Sequence, residues 1–196
     1  MDTEIEAKFL DIDPAAIRKM LAASGGVQEH AEVFMKRKNF DFPDFILEKR
    51  GGWARVRAEA GKTTMSYKQL NDRTLHGTQE VNLVIDDFEK GCAFLTALGL
   101  EQKAYQETKR EKWMLGDVEV TIDTWPWIPQ FVELEGPTED AVRAAAQKLG
   151  LDWAHAMHGS VETAYQKYYD FTEEEIDHWS EITFIPEPDW LLARKK

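Results

Sequence analysis

Two carboxylates and an ammonium alternate near the start of the chain, in the pattern Glu4-x-Glu6-x-Lys8. Successive side chains of a β-strand point to opposite faces, so these three residues would share one face and the apolar residues between them the other. Lysine donates hydrogen bonds to phosphate oxygens, and glutamate oxygens are ligands for divalent cations. On a single strand a solvated polar face is the simpler interpretation, because antiparallel sheets are commonly polar on one side.

The same spacing recurs in later segments whose composition is typical of strands. Arg55 and Arg57 share one face of such a segment, and Glu133 and Glu135 share a face of another. Further polar residues with this alternation are Thr64, Ser66 and Lys68, then Thr78, Glu80 and Asn82, then Arg110, and finally Glu119, Thr121 and Asp123. Buried ion pairs repay their desolvation poorly, so a highly charged ligand explains this repetition better than stability does.

Turn and capping signals divide the chain into strands and single helices. Extended segments are predicted at residues 2–10, 27–40, 53–59, 63–70, 78–85, 103–114, 118–123 and 130–135. Helices are predicted after Asp13-Pro14, after Asp86-Asp87, after Thr138, over residues 160–169, and after Thr172, which forms a capping-box signal with Glu175. The apolar stripe of the second helix is predicted to be Phe88, Phe94, Leu95 and Leu98.

This order of elements predicts an α+β fold: a closed eight-stranded antiparallel β-barrel with the helices packed outside. The helices need an apolar sheet surface, so the charged face must be the inner one. An eight-stranded barrel is wide enough to hold one small ligand. A lipid carrier would have an apolar interior, and the charged pattern therefore argues against that class of protein.

Bulk properties restrict the partners. A net charge of -12 disfavours non-specific binding to nucleic acid or anionic membranes, so neither partner is expected. No apolar run approaches the ~20 residues that span a bilayer, and the N-terminus lacks a signal pattern, so a cytoplasmic protein is expected. The single cysteine, Cys92, excludes an internal disulfide and is expected to be a small core residue in a helix.

Taken in order, the charged residues resemble the CYTH family of triphosphate tunnel metalloenzymes. This family includes class IV adenylyl cyclases, thiamine triphosphatases and inorganic triphosphatases. The similarity extends over roughly residues 2 to 169 and rests on Glu4-x-Glu6-x-Lys8, Arg55-x-Arg57, Lys68, Glu80, Arg110, Asp123 and Glu133-x-Glu135. Ordered agreement at this many positions is specific, whereas the first motif alone would not be.

The resemblance implies a small-molecule triphosphate substrate held inside a closed tunnel. It implies that Mg²⁺ or Mn²⁺ is bound by Glu4, Glu6, Asp123, Glu133 and Glu135. It implies that the phosphates are bound by Lys8, Arg55, Arg57, Lys68 and Arg110, with Lys167 as an additional candidate on the final helix. Glu80, Lys68 and Arg110 are the candidate catalytic residues, and whether Glu80 binds metal or orients the attacking water is left open.

Two segments depart from the family pattern. The run Met35-Lys36-Arg37-Lys38 is more basic than expected, and Lys36 or Lys38 either reaches the substrate or lies on the surface. The end of the chain falls outside the similarity, so we divide it into a tunnel domain, 1–170, and a C-terminal extension, 171–196. Trp179 and Trp190 of the extension either cap a tunnel mouth or meet another subunit, so a homodimer is left open.

Two other signals are interpreted as structural. His155-x-x-His158 has helical spacing for a metal site, but no third ligand is evident nearby. Trp125-Pro126-Trp127 is expected in the core or in a turn rather than stacked on a ring of the substrate.

The leading functional prediction is a metal-dependent phosphohydrolase. It would cleave the terminal phosphoanhydride of inorganic tripolyphosphate, thiamine triphosphate or a nucleoside triphosphate. The alternative is a class IV adenylyl cyclase, which forms cyclic AMP and pyrophosphate from ATP in the same kind of site. A non-catalytic polyphosphate-binding module is disfavoured, because binding alone would need mainly the bases. The sequence does not identify the group attached to the triphosphate.

Overall fold

A computed structural model describes residues 1–196 and places ten strands in one sheet. The strands are β1 (Asp2–Glu4), β2 (Glu6–Phe9), β3 (Val27–Asp41), β4 (Gly52–Glu59), β5 (Lys62–Leu70), β6 (Thr78–Ile85), β7 (Glu101–Leu115), β8 (Val118–Thr124), β9 (Phe131–Glu135) and β10 (Glu181–Ile182). From β3 to β9 the strand ends agree with the predicted ones to within two residues. Alternation of polar and apolar residues is thus a reliable guide to the strands of this chain.

Six helices accompany the sheet. They are α1 (Pro14–Ala23), α2 (Phe88–Ala97), α3 (Glu139–Lys148), α4 (Glu162–Tyr168), α5 (Glu173–Asp177) and α6 (Asp189–Leu192). The side chains of Asp13, Asp87 and Thr138 accept hydrogen bonds from the first turns of α1, α2 and α3, as their positions predict. The capping box of Thr172 and Glu175 at α5 is also confirmed. None of the helices is long and apolar enough to span a membrane.

The sheet closes on itself through the N-terminal segment. Along the sheet the order is β1-β6-β5-β4-β3-β7-β8-β9-β2, with antiparallel pairing throughout this path. Because β1 and β2 are consecutive in the chain and stand at the two ends of this order, one extended segment joins both edges. The result is the predicted antiparallel barrel with helices packed outside.

The prediction of a single strand over residues 2–10 is wrong, and the barrel therefore has nine strands in its wall instead of eight. The segment breaks at Ile5, where its hydrogen bonding changes partner. Glu4 pairs with Thr78 of β6, whereas Glu6 pairs with Glu135 of β9. At the break, Gly136 donates its backbone N–H to the carbonyl of Ile5. The N-terminal segment thus leaves one edge and joins the other within a single residue.

Helices cover the outer, apolar face of the barrel. Helices α1 and α3 pack over β2, β8 and β9 around a core that includes Leu21, Val120, Leu134 and Val142, all of which are fully buried. Helix α2 packs over β4, and a side chain at Gly91 would collide with Ile85. Because these helices take the outer face, the charged residues of the same strands are left on the inner face.

The predicted apolar stripe of α2 is half wrong. Phe88 and Leu95 are buried as expected, and Cys92 is a buried residue of this helix. Phe94 and Leu98, however, are 54% and 58% exposed. The buried residues of α2 are Phe88, Gly91, Cys92 and Leu95, so the helix buries a narrower stripe than the sequence suggests.

The C-terminal extension packs against the same end of the barrel as α4. Ile176, Ile182 and Leu191 of the extension are buried in one cluster with Tyr165 and Tyr169 of the preceding segment. Strand β10 pairs in parallel with β7. The predicted helix over 160–169 begins only at Glu162, because residues 160 and 161 form a turn. Residues 171–196 thus share a core with the end of the barrel domain.

Candidate functional site: a charged tunnel

The inner face of the barrel encloses a cavity of about 500 Å³, a volume usual for a small-molecule site. Only five of its 30 lining residues are hydrophobic, so the cavity cannot be an apolar carrier pocket. The predicted site residues on its wall are Glu4, Glu6, Lys8, Arg55, Arg57, Lys68, Glu80, Arg110, Asp123, Glu133 and Glu135. They come from eight separate strands, and the barrel alone brings them together.

Most of the bases in the tunnel form ion pairs with acids of other strands. The Nζ atom of Lys68 lies 2.7 Å from a carboxylate oxygen of Glu4, and Arg55 lies 3.2 Å from Glu80. Arg110 makes two hydrogen bonds of 2.6 and 2.7 Å to Asp123, its register partner on β8. Such bidentate guanidinium–carboxylate pairs have fixed geometry. The tunnel is therefore ordered before any ligand arrives.

Lys8 is the most deeply buried of these paired bases. Its Nζ atom lies 3.4 Å from Glu133 and 3.8 Å from Glu6, and it donates a 2.7 Å hydrogen bond to the carbonyl of Gly159. Burial alone would lower the pKa of Lys8, but the charges of Glu133 and Glu6 outweigh it and raise the pKa. Lys8 thus stays positively charged inside the protein, as a phosphate ligand requires.

Two carboxyl pairs in the tunnel each share a proton. Burial raises the pKa of Glu6 to about 8, and Glu6 is hydrogen-bonded to Glu133. Burial opposes ionisation of Glu133 as well, but the charge of Lys8 and the bond from Glu6 hold its pKa well below the usual range. Glu4 and Glu80 form the second pair. Adjacent carboxylates behave in this way because two like charges cannot both be buried.

The second pair differs in which side chains surround it. Burial raises the pKa of Glu4 to about 7 despite the charge of Lys68. For Glu80, burial is outweighed by the hydrogen bond from Glu4 and by the charges of Lys68 and Arg55, and the pKa falls to about 2. Burial and the nearby charge of Glu119 raise the pKa of Glu135 to about 7. The tunnel thus contains both weak and strong acids at neutral pH.

The five predicted metal ligands all reach the tunnel, but they do not converge on one point. No group of three or more histidine, cysteine, aspartate or glutamate side chains is arranged to hold a metal ion. Asp123 is engaged by Arg110, and Glu4 by Lys68. The pair Glu6–Glu133 nevertheless fits a hard divalent cation, because Mg²⁺ is commonly bound by one or two carboxylates together with water and substrate phosphates. A cation there would replace the shared proton.

Lys167 is the one predicted site residue that does not reach the tunnel. It lies on α4 with its side chain 47% exposed, and its Nζ atom is 2.8 Å from Asp11. The helix was correctly placed, but this residue is on the face that points away from the barrel. The assignment of Lys167 to the substrate is therefore wrong.

Arg37 on β3 is the principal residue that the sequence analysis missed. Lys36 and Lys38 lie outside the barrel near the ring of Phe88, whereas Arg37, between them, points into the tunnel. It is 6% exposed and is the register partner of Arg57. Alternation along β3 contained the signal, since Arg37 has the opposite face from both lysines.

Glu162 on α4 was missed as well. It lines the tunnel at the end where Trp125 and Phe131 lie, and one of its carboxyl oxygens is buried without a hydrogen-bond partner. Burial, followed by the charge of Asp177 in the extension, raises its pKa to about 8. No local pattern marks this residue, because its position depends on how α4 packs across the end of the barrel.

The two signals interpreted as structural occupy separate places. His158 Nδ1 lies 3.1 Å from the backbone carbonyl of Glu6, while His155 is exposed, so the two do not form a metal site. Trp125 is buried and lines the tunnel. Trp127 instead packs outside, against Trp179 and Trp190 of the extension. The extension's tryptophans therefore meet the barrel's outer aromatic residues and not a tunnel mouth.

Fold and site together define a class of protein: closed antiparallel barrels whose inner cavity is lined with paired acids and bases. Within this class, the CYTH domain family model matches residues 2–169. The match covers most of the chain, and the chain belongs to the CYTH domain family. Among the curated proteins, no significant match to this sequence is found.

Solved structures with the same fold come from distant organisms. A candidate adenylate cyclase from Vibrio parahaemolyticus is similar with a TM-score of 0.72 and 18% identity, over 84% of this chain and 98% of that one. The PH1012 protein from Pyrococcus horikoshii is similar with a TM-score of 0.65 and 20% identity, over 78% of this chain and 93% of that one. A candidate adenylyl cyclase from Hippeastrum is described as having a dominant triphosphatase activity. It is similar with a TM-score of 0.56 and 11% identity, over 93% of this chain and 98% of that one. At these identities the likeness shows the fold.

Proposed function

We propose that this protein is a divalent-metal-dependent phosphohydrolase acting on a triphosphate. The observation that carries the proposal is the tunnel itself, in which buried lysines and arginines alternate with buried carboxylates around a cavity of about 500 Å³. A triphosphate needs many cationic hydrogen-bond donors, and its hydrolysis also needs neutralisation of the leaving group's charge. CYTH membership and the triphosphatase activity named for the Hippeastrum neighbour support the same reaction.

In this proposal the bases bind and orient the polyphosphate. Lys8, Arg55, Arg57, Lys68 and Arg110 hold its oxygens, so that negative charge developing on the leaving phosphate meets fixed cations. The acids Glu6 and Glu133 would hold Mg²⁺ or Mn²⁺, which would polarise the phosphorus. Water attacks the terminal phosphorus, the bridging P–O bond breaks, the leaving phosphate departs with the electron pair, and the proton of the water passes to a phosphate oxygen or to solvent.

Glu80 fits an orienting role better than that of a proton acceptor. Its pKa of about 2 makes it a poor base at neutral pH. Its carboxylate lies 3.2 Å from Arg55 and 3.7 Å from Lys68. It therefore aligns two of the phosphate-binding side chains, and Lys68 and Arg110 remain the catalytic candidates that would touch the reacting phosphate.

An adenylyl cyclase is the second candidate. The same basic residues could bind the triphosphate of ATP while the ribose hydroxyl of ATP attacks its own α-phosphorus and pyrophosphate leaves. One observation favours keeping it: Trp53 and Trp125 line the tunnel and offer aromatic surface to a base. The neighbour from Vibrio parahaemolyticus named as a candidate adenylate cyclase agrees with this alternative.

A product-resolved substrate panel distinguishes the candidates. Tripolyphosphate, thiamine triphosphate and ATP are each incubated with Mg²⁺ or Mn²⁺, and products are separated by mass spectrometry. Released phosphate as the main product supports the hydrolase, and cyclic AMP with pyrophosphate supports the cyclase. Metal-dependent turnover of none of them overturns both assignments.

A double variant tests whether the acidic pair serves turnover. Glu133→Gln with Glu135→Gln is expected to reduce turnover by at least about 100-fold, because carboxylates proposed to hold the divalent metal are removed. Thermal melting of the ligand-free variant is the control. Loss of thermal stability that fully accounts for the loss of activity would make these residues structural.

A further inference from the structure

Arg37 differs from the other buried bases of the tunnel in having no carboxylate within ion-pair distance. Lys8, Arg55, Arg57, Lys68 and Arg110 each have one. The NH2 group of Arg37 donates a 2.7 Å hydrogen bond to the hydroxyl of Thr108, and its guanidinium lies 4.7 Å from the ring centroid of Trp125. Arg37 is thus a buried guanidinium without an ion pair, and Asp123 is the acid whose charge acts on it from a greater distance.

The surroundings of Arg37 add like charge. Arg57 is its direct register partner on β4, and like charges opposite each other across a sheet are destabilising. Burial, and then the charges of Arg55, Arg57 and Arg110, lower the pKa of Arg37 well below its usual value. An arginine chosen for stability would not be placed here, because an unpaired buried charge is costly.

Unused hydrogen-bond donors lie together on this part of the wall. The Nε atoms of Arg37 and Arg55 are buried and have no hydrogen-bond partner, whereas Nε of Arg57 lies 3.3 Å from a carboxylate oxygen of Glu59. Arg37 and Arg55 belong to the adjacent strands β3 and β4, and both side chains line the tunnel. Buried polar groups are normally satisfied, so these two unpaired guanidinium donors point to an acceptor supplied by the ligand.

We propose that Arg37 joins Arg55 and Arg57 as a third guanidinium that binds the substrate. Arg37 would bind a phosphate oxygen on the side of these two arginines that faces Trp125. This inference rests on the proposed function, since it takes the ligand to be a polyphosphate. The anion supplies the missing counter-charge and accepts from the orphan donors, so Arg37 strengthens binding at the expense of the ligand-free fold.

The Arg37→Met variant should therefore bind the ligand more weakly and be more stable without it. The affinity for inorganic tripolyphosphate, measured by calorimetry in EDTA, is expected to fall about 10- to 100-fold, as for a lost hydrogen bond to a charged group. The melting temperature of the ligand-free variant is expected to rise by about 2–4 °C, because an uncompensated like charge is removed. In turnover assays KM should rise by a similar factor while kcat changes little.

Lys36→Met is the matched control, because Lys36 is the neighbouring base on the outer face of the same strand. It should leave affinity and ligand-free stability unchanged. Arg37→Lys keeps the charge but loses the planar fork, and its affinity should lie between those of the wild type and Arg37→Met. If Arg37→Met does not fold, the affinity of Arg37→Lys for tripolyphosphate tests the proposal instead.

The outcomes separate this inference from the proposed function. Failure of the wild type to bind tripolyphosphate overturns the proposed function and the inference with it. Wild-type binding with unchanged affinity in Arg37→Met or Arg37→Lys overturns the inference alone. A fall in melting temperature without loss of affinity in Arg37→Met would show that Arg37 is a structural residue held by Thr108 and Trp125.

Discussion

At the scale of single residues, the tunnel divides its carboxyl groups into weak and strong acids. Glu6 and Glu4 are weak acids, while Glu133 and Glu80, their hydrogen-bonded partners, are strong ones. The difference arises because Lys8 lies nearer to Glu133 than to Glu6, and because Glu80 has Arg55 beside it and a hydrogen bond from Glu4. At neutral pH the Glu6–Glu133 pair therefore carries about one negative charge and the Glu4–Glu80 pair is partly protonated, so the tunnel avoids the repulsion of a fully ionised acidic cluster.

Glu162 gives a prediction about stability and pH. Its pKa is raised from 4.5 to about 8, so the folded protein binds this proton more tightly than the unfolded chain does. The stabilisation from this group is fully present below pH 4.5 and is lost as the pH rises towards 8. Glu162→Gln should remove this pH-dependent loss. Between pH 5 and pH 8, the free energy of unfolding of the variant should therefore increase by on the order of 2 kcal/mol relative to that of the wild type.

Urea denaturation of both proteins at several pH values measures this difference. Asp177→Asn is a useful companion, because Asp177 is the acidic neighbour whose charge helps to raise the pKa of Glu162. Without the charge of Asp177, the pKa of Glu162 should be raised less, and the free energy of unfolding of Asp177→Asn should fall less steeply with pH than that of the wild type. Parallel stability curves for the wild type and Glu162→Gln would contradict the assignment of a raised pKa.

Residue-scale features also show where sequence reasoning ends. The motif Glu4-x-Glu6-x-Lys8 could be assigned to the inner face from local alternation alone. Arg37 follows the same rule, but its importance comes from pairing with Arg57, which depends on the register of β3 against β4. Lys167 failed for a related reason, since the rotation of α4 about its axis is fixed by packing against distant residues.

At the scale of elements, the C-terminal extension behaves as part of the core. Leu191 is fully buried, whereas its neighbour Leu192 is 46% exposed. Leu191→Ala should therefore lower the free energy of unfolding by about 2–4 kcal/mol, and Leu192→Ala by less than about 0.5 kcal/mol. Urea denaturation followed by circular dichroism tests the pair. Equal, small effects would mean that residues 171–196 are an appendage to the barrel domain.

The strands and the closed barrel were predictable, whereas the break in the N-terminal segment was not. Period-two alternation is a local property, so strand limits from β3 to β9 could be derived without knowledge of neighbours. The strand breaks at Ile5 because the residues before it pair with β6 and the residues after it pair with β9. Nothing in the sequence of residues 2–10 indicates this change of partner. The exposure of Phe94 and Leu98 likewise depends on how far the barrel surface extends beneath α2.

At the scale of the whole molecule, ion pairing inside the tunnel predicts the response to chelation. Every tunnel acid named as a metal ligand has a base or a titratable carboxyl group beside it in the fold described here. Removal of divalent metal with EDTA should therefore abolish turnover while the melting temperature falls by no more than a few degrees. Restored activity on addition of Mg²⁺ or Mn²⁺ is the control. Unfolding on chelation would mean that the metal is structural.

Closure of the barrel by its N-terminal segment has a consequence for folding. Strands β4, β5 and β6 are successive hairpin neighbours, whereas β2 must find β9 across most of the domain. Contacts between distant residues carry a larger loop-closure cost and form late. Val56→Ala in β4 should slow refolding, while Ala7→Gly in β2 should mainly speed unfolding. Stopped-flow fluorescence in urea measures both rates, and slower refolding of Ala7→Gly would place closure before the transition state.

During synthesis, strand β2, which carries Glu6 and Lys8, is made before its partner β9. Its opposite edge becomes available only when Glu133 and Glu135 have been added and β9 has formed. The two halves of the acidic site therefore meet in the step that seals the barrel. A partly folded chain therefore lacks the complete set of tunnel acids and bases, and binding of the proposed polyphosphate would report the finished fold.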